Sequence, residues 1–294
     1  MKNLNYLLLL ALSFFIFSCD DDDDVIDINI TEKQELVETY ADNYLAVKPY
    51  PAVTTRLEDF DQEEAYDFQE DFIEELISRG EVQSGFKLGF TGDAPRPFGA
   101  PEPVYGTLFQ SQKFADGATI DISETFAGGN SGVEMALFMD RDAAYETSDF
   151  PLSDTELMSL IRSVAPLAEF PEIAFEEGKM NIDYRDLIAA NAGARAYVAG
   201  TPVMLADVGI SIDSLNVSVF KDGNMISEGI TGDALGSQLE ALEFLLRKLA
   251  EEGEGVKAGQ IIATGSLGAD LPLEAGTYEL VYDEIGSVTY TLVE

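Results

Sequence analysis

Three stretches of the chain carry apolar residues at helical spacing. Leu36, Val37, Tyr40, Tyr44 and Leu45 predict an amphipathic helix over 31–47 with an acidic polar face, closed off by Pro49 and Pro51. Ala65, Phe68, Phe72, Ile73, Leu76 and Ile77 predict a second over 62–78, which Gly80 stops. Leu239, Leu242, Leu245, Leu246 and Leu249 predict a third over 238–252, ended by Gly253. Ser153 and Glu156 form a capping box, so a helix is expected from there to Val164, and 186–192 reads as a short helical turn. Between the helices lie runs of strand length: 85–92, 105–109, 131–139, 196–203, 261–264, 277–282 and 288–293, with a hairpin over 215–230 turning at Asp222-Gly223. Residues 93–103, rich in Pro and Gly, read as a loop or lid.

The 294 residues, 46% of them hydrophobic, suffice for one large domain or two modest ones. Fifty-five acidic residues against 17 basic ones leave a net charge of -38, which repels phosphate backbones. Nucleic acid is therefore not an expected partner, and an anionic substrate needs a cation or a local basic residue to offset the field. The absence of His removes histidine triads, histidine general bases and imidazole metal ligands. A single Cys, Cys19, allows no internal disulfide and no thiolate cluster. Carboxylates, Lys, Tyr, Ser and Thr remain for chemistry, with a hard oxygen-bound cation such as Mg²⁺ or Mn²⁺.

Lys2, an apolar run from Tyr6 to Phe17, and then Ser18-Cys19 have the layout of an export signal, too short to span a membrane. The ending resembles a bacterial lipobox, which implies removal of 1–18, lipidation of Cys19, and anchoring at the outer membrane or cell surface. A free Cys in an uncleaved leader is the other reading. The Asp20–Asp24 run cannot pack and belongs to an acidic tether over 19–30.

Two charged residues sit inside strand-like runs. Glu134 interrupts an apolar run, and an ionised carboxylate buried alone is costly, so it is exposed, paired or bound to a cation. Lys87 is the centre of Gly85-Phe86-Lys87-Leu88-Gly89, where it either snorkels or reaches a bound anion. Thr264-Gly265-Ser266, after an apolar strand, is either a structural turn or a set of N–H and hydroxyl donors for a carboxylate.

Ala65-Tyr66 with Gln69, Gly85 to Thr91, Gly106-Thr107-Leu108-Phe109, Gly132-Val133-Glu134-Met135-Ala136, Ala165 to Glu172, Ala189-Ala190-Asn191-Ala192, Ala241 to Leu245, Ala258-Gly259 and Thr264-Gly265-Ser266 occur in an order that resembles the 2-keto-4-pentenoate hydratase branch of the fumarylacetoacetate hydrolase superfamily. The resemblance covers roughly residues 35 to 294. It implies a mixed α+β fold: a β-sandwich roll of the fumarylacetoacetate hydrolase C-terminal-domain type with flanking helices. The domain would run over 31–294, helical in 31–84 and a β-roll in 85–294. A divalent cation, Mg²⁺ or Mn²⁺, would be held by carboxylates and chelated by a small 2-keto acid.

In the family motif two glutamates flank one strand residue and a third follows in a Pro-x-x-Glu segment. Glu134 and Glu169 match the second and third, whereas the first falls on Gly132, which cannot ligate. An Asp expected before Asn191 is replaced by Ala190. Glu124 and Asp140 are the nearby candidates to substitute for the missing carboxylate. The resemblance makes Lys87 the proton-shuttling residue, and Asn191, Thr264 and Ser266 substrate contacts. The activity implied is a hydro-lyase step on a 2-keto or 2-hydroxydienoic acid; the hydrolytic branch, which uses a His, is disfavoured. The alternative is a non-catalytic surface lipoprotein that keeps the fold as a binding or structural module. Assembly into a homo-oligomer is left open.

Overall fold

The computed structural model describes residues 23–92, 95–268 and 270–294. The leader, Cys19 and its lipidation lie outside the described residues. Helix α1 (Asp23–Ala46) begins earlier than the expected 31, taking in the end of the acidic tether, and helix α2 spans Gln62–Ser78. Asp61 caps α2 reciprocally with Glu64, which satisfies orphan N–H groups of the first turn. The two helices pack through aromatic side chains: Tyr40 meets Phe68 and Phe72 edge-on at 5.0 and 5.6 Å. Leu45 and Ile77, expected on the apolar faces, are exposed.

Among the described residues the main sheet has nine strands. Its path runs from β2 (Val104–Phe109) through β1 (Gln83–Gly89), β6 (Ile261–Ala263), β3 (Asn130–Met139) and β4 (Ile161–Phe170) to β5 (Ala196–Ala199), ending on Lys113–Phe114. β1 and β6 are parallel and β3 lies antiparallel to β4 along its length, so the sheet is mixed. The short β7 (Leu271–Pro272) adds to the start of β3. A second, five-stranded sheet contains the hairpin Asn216–Lys221 and Asn224–Ile230, together with Gly276–Tyr282, Gly286–Val293 and Ala118–Asp121. Asp222 and Gly223 both have positive φ at the hairpin turn, as a tight two-residue connection requires.

Helix α3 (Asp154–Leu160) opens on the Ser153–Glu156 capping box but ends four residues before the expected Val164. Ile161 onward is the strand β4, so Glu169 sits on a strand in register with β3 and not in a loop after a helix. The apolar run Ile161 to Phe170 has the length of a buried strand, and its pairing with β3 overrides the helical start.

Alternation along the paired strands sorts the side chains onto two faces. Val133, Met135, Leu137, Ala168 and Phe170 belong to the large core, covered by α1, α2, helix α4 (Tyr184–Ala189), helix α5 (Gln238–Glu251) and the second sheet. The opposite face carries a smaller cluster, Leu108, Ala136, Ala165, Leu167, Tyr197, Ile261 and Ala263. These residues come from five strands spread across the sheet and still touch, so the sheet curls around them. Tyr197 on β5 reaches Ser84 on β1 with its hydroxyl, 3.0 Å across the roll. Alanines and glycine stand on this face beside the larger side chains where the backbone comes close. A Cβ at Gly106 would lie 2.2 Å from the Asn191 carbonyl oxygen.

Candidate metal and substrate site

Three charged side chains stand on that inner face. Gly132 pairs with Glu169 and Glu134 with Leu167 across β3 and β4, so Gly132, Glu134 and Glu169 share one side. Lys87 pairs with Ala263, and Ala263 with Ala136, which puts Lys87 on the same side two strands over. All three charged groups are buried, at 4%, 2% and 1% exposure for Lys87, Glu134 and Glu169.

Lys87 Nζ donates to the Ala192 carbonyl at 2.9 Å and lies 3.6 Å from Glu169 Oε1. The turn that presents that carbonyl follows α4 and has Asn191 and Ala192 in the left-handed region. Its conformation is fixed by the Asn191 side chain, which accepts from Thr107 N–H at 2.6 Å and donates to Thr107 C=O at 2.8 Å. Asn191 thus spends both ends of its amide on β2, and in this structure it acts on the site through the backbone that holds Lys87.

Glu134 Oε2 accepts from the Gly265 N–H at 2.9 Å. Burial pushes its carboxyl up to about 8, helped by the charge of Glu169 and opposed by Lys87 and the Gly265 N–H. Burial likewise pushes Glu169 up to about 7, against the pull of Lys87. Glu169 Oε1 is buried without a hydrogen-bond partner. Two carboxyl groups that resist ionisation, one with an orphaned oxygen, are what a hard divalent cation would relieve. Gly132 faces this pair: a Cβ there would have Glu134 Oε1 at 3.5 Å and the Glu169 carbonyl oxygen at 3.6 Å, ordinary contact distances, so the position accepts a Cβ without a clash. The donor set therefore fits a hard cation with two protein carboxylates.

Thr264 is fully buried and its hydroxyl bonds the Met135 carbonyl at 3.1 Å, whereas Ser266 donates to Asp270 Oδ1 at 3.0 Å. Glu124 and Asp140 are both exposed, and among the described residues no set of three or more acidic side chains meets at metal-ligating distance. Glu172, three residues beyond Glu169, instead clamps the Ala127 and Gly128 N–H groups at 2.9 and 2.7 Å. A cavity of about 530 Å³ has Phe90, Phe98 and Phe175 as apolar walls and Lys179 and Asp270 as its charged groups. Sequence reasoning missed Asp270 and Thr91. Thr91 has a buried hydroxyl with no partner, beside Gly265. Only the fold brings either one near Glu134; an isolated Asp or Thr in a loop carries no such signal.

No protein-family profile matches the chain. Among curated proteins, 2-keto-4-pentenoate hydratase of Burkholderia vietnamiensis is 28% identical over 220 residues, 74% of this chain and 80% of that protein. A 4-oxalocrotonate decarboxylase of a Pseudomonas species is 26% identical over 230 residues, 78% of this chain and 86% of that one. Among solved structures, 4-oxalocrotonate decarboxylase from Pseudomonas putida G7, complexed with magnesium and adipate, matches with a TM-score of 0.79 at 24% identity, over 90% of this chain and 98% of that one. A proposed fumarylacetoacetate hydrolase family protein from Yersinia pestis CO92 matches with a TM-score of 0.51 at 13% identity, over 73% and 94%. In sequence the chain is similar to 2-keto-4-pentenoate hydratases and 4-oxalocrotonate decarboxylases, and it shares its fold with the solved 4-oxalocrotonate decarboxylase and, more distantly, with the fumarylacetoacetate hydrolase family protein.

Proposed function

We propose that the protein is a divalent-metal-dependent lyase that adds water to a small 2-hydroxydienoic acid, the enol form of a 2-keto acid. The observation that carries this reading is the buried pair Glu134 and Glu169, with an orphaned Glu169 oxygen and Lys87 Nζ 3.6 Å from it. Glu134 and Glu169 would hold Mg²⁺ or Mn²⁺, which when bound supplies polarisation of a substrate oxygen and offsets negative charge there. Lys87 Nζ, oriented by the Ala192 carbonyl, moves protons to and from the carbon chain. One proton goes to the terminal carbon as the 2-hydroxyl becomes a keto group. Water then adds at the adjacent carbon, with a second proton entering next to the keto group. The cavity walled by Phe90, Phe98 and Phe175 is lined by none of Lys87, Glu134 and Glu169; it would take the far end of the carbon chain, and its Lys179 would offer a charge to an anionic substrate in an otherwise acidic molecule.

The test is the loss of dienoate ultraviolet absorbance with purified protein and Mg²⁺, repeated after chelation. Metal-dependent loss with a hydroxy-keto acid product supports the assignment. Release of carbon dioxide from a 2-keto dicarboxylate would assign a decarboxylase instead, and absence of both turnover and cation binding would favour the non-catalytic surface module. Anchoring through a lipidated Cys19 at the outer membrane or cell surface is part of the same proposal and rests on the leader sequence.

A further inference from the structure

Gly132 removes one carboxylate from the expected set, but strand pairing brings another to the same spot. β7 runs antiparallel to β3 with Leu271 opposite Ser131 and Pro272 opposite Asn130. Continuing that register by one residue sets Asp270, just outside the strand, across from Gly132. Successive strand residues point to opposite faces, and Leu271 is buried in the large core along with Val133. Asp270 is therefore turned toward the face that carries Glu134 and Glu169.

Independent features agree with this placement. Asp270 is exposed and lines the cavity, close enough for its charge to act on both Glu134 and Glu169. The loop that holds it is the one that holds Glu134: Gly265 N–H bonds Glu134 Oε2, and Ser266 bonds Asp270 Oδ1. Glu169 Oε1, on a side chain 1% exposed, has no hydrogen-bond partner and is free to accept a cation. Among the described residues no three acidic side chains meet at ligating distance, so the exposed Asp270 carboxylate has to turn inward to join the pair.

We propose that Asp270 is the third anion of the cation site, supplying from the neighbouring strand the charge that Gly132 does not carry. This rests on the reading of Glu134 and Glu169 as cation ligands. Three carboxylates against Lys87 and a divalent ion leave the site neutral, and anionic ligand count is a principal determinant of affinity for hard cations. The side chain and the open position are two halves of one exchange: a longer carboxylate at 132 would make Asp270 dispensable.

The test is Mn²⁺ binding to the full chain, read from the electron paramagnetic resonance signal of free Mn²⁺, with circular dichroism to confirm folding. Asp270→Asn is expected to weaken binding by on the order of tenfold or more, because it removes one anionic ligand. Adding Gly132→Glu to Asp270→Asn is expected to recover most of the loss, and Glu169→Gln to abolish binding. Wild-type affinity in Asp270→Asn alongside loss in Glu169→Gln would overturn the role of Asp270 and leave the two-carboxylate site standing. A double variant as weak as Asp270→Asn overturns the exchange. No binding to the wild type at millimolar Mn²⁺ overturns both this inference and the proposed function.

Discussion

Raising the pH of the metal-free protein should destabilise it through Glu134 and Glu169, and a divalent cation should remove that effect. Both groups have folded-state values, about 8 and about 7, above the 4.5 of an ordinary glutamate. Below 4.5 the folded and unfolded chains both hold these protons, so burial has no ionisation cost. As pH rises the unfolded chain releases protons that the fold retains, and stability falls until the pH passes about 8. Each retained proton costs about 1.4 kcal/mol per pH unit, which makes the pair worth several kcal/mol between pH 5 and 8. The acidic surface adds a broader decline of its own, so the informative quantity is the difference from Glu134→Gln/Glu169→Gln, which mimics the protonated pair. Denaturant melts at pH 5, 6.5 and 8 should show the wild type losing more stability than this variant. Mg²⁺ should stabilise the wild type at pH 8 and have little effect at pH 5, because binding requires the deprotonated carboxylates. A saturating ligand at a hundred times its Kd adds about 2.7 kcal/mol. Parallel pH profiles for the two proteins, with no Mg²⁺ effect on either, would refute the reasoning.

Lys87→Met should reduce turnover of a 2-hydroxydienoate by on the order of a hundredfold or more while Mn²⁺ binding persists or tightens, since a neighbouring positive charge is gone. Retained turnover would remove Lys87 from proton transfer. Asn191→Ala should cost about 3 kcal/mol in urea unfolding, because it leaves the Thr107 N–H and C=O buried without partners. A loss below about 1 kcal/mol would show that the turn does not depend on that clamp. Cys19→Ala should shift the exported protein from the membrane fraction to the soluble one; unchanged fractionation would exclude lipidation there.

Where local rules dominate, the sequence is legible. The α2 boundaries follow from its apolar spacing and Gly80, and the Asp222-Gly223 hairpin follows from the backbone that only such residues adopt easily. Helix α3 shows the limit: its capping box marks the start, while its end is set by pairing of Ile161 to Phe170 with β3, a contact that no local window contains. The site divides the same way. Glu134 stands out because a carboxylate in an apolar strand needs a reason, and Lys87 because it is flanked by glycines. Asp270 does not stand out, since its relation to Gly132 exists only through a register between segments over a hundred residues apart. Asn191 and Thr264 are polar in sequence and resemble substrate contacts there, but the fold commits their groups to the backbone of Thr107 and Met135.

The central claim, a divalent cation held by Glu134 and Glu169 beside Lys87, is tested most directly by crystals soaked in Mn²⁺ and measured for anomalous scattering. The account predicts one strong peak within coordination distance of a Glu134 oxygen and of Glu169 Oε1, with the Asp270 carboxylate turned toward it. No peak at the pair, with Glu169 still facing only Lys87, would contradict it.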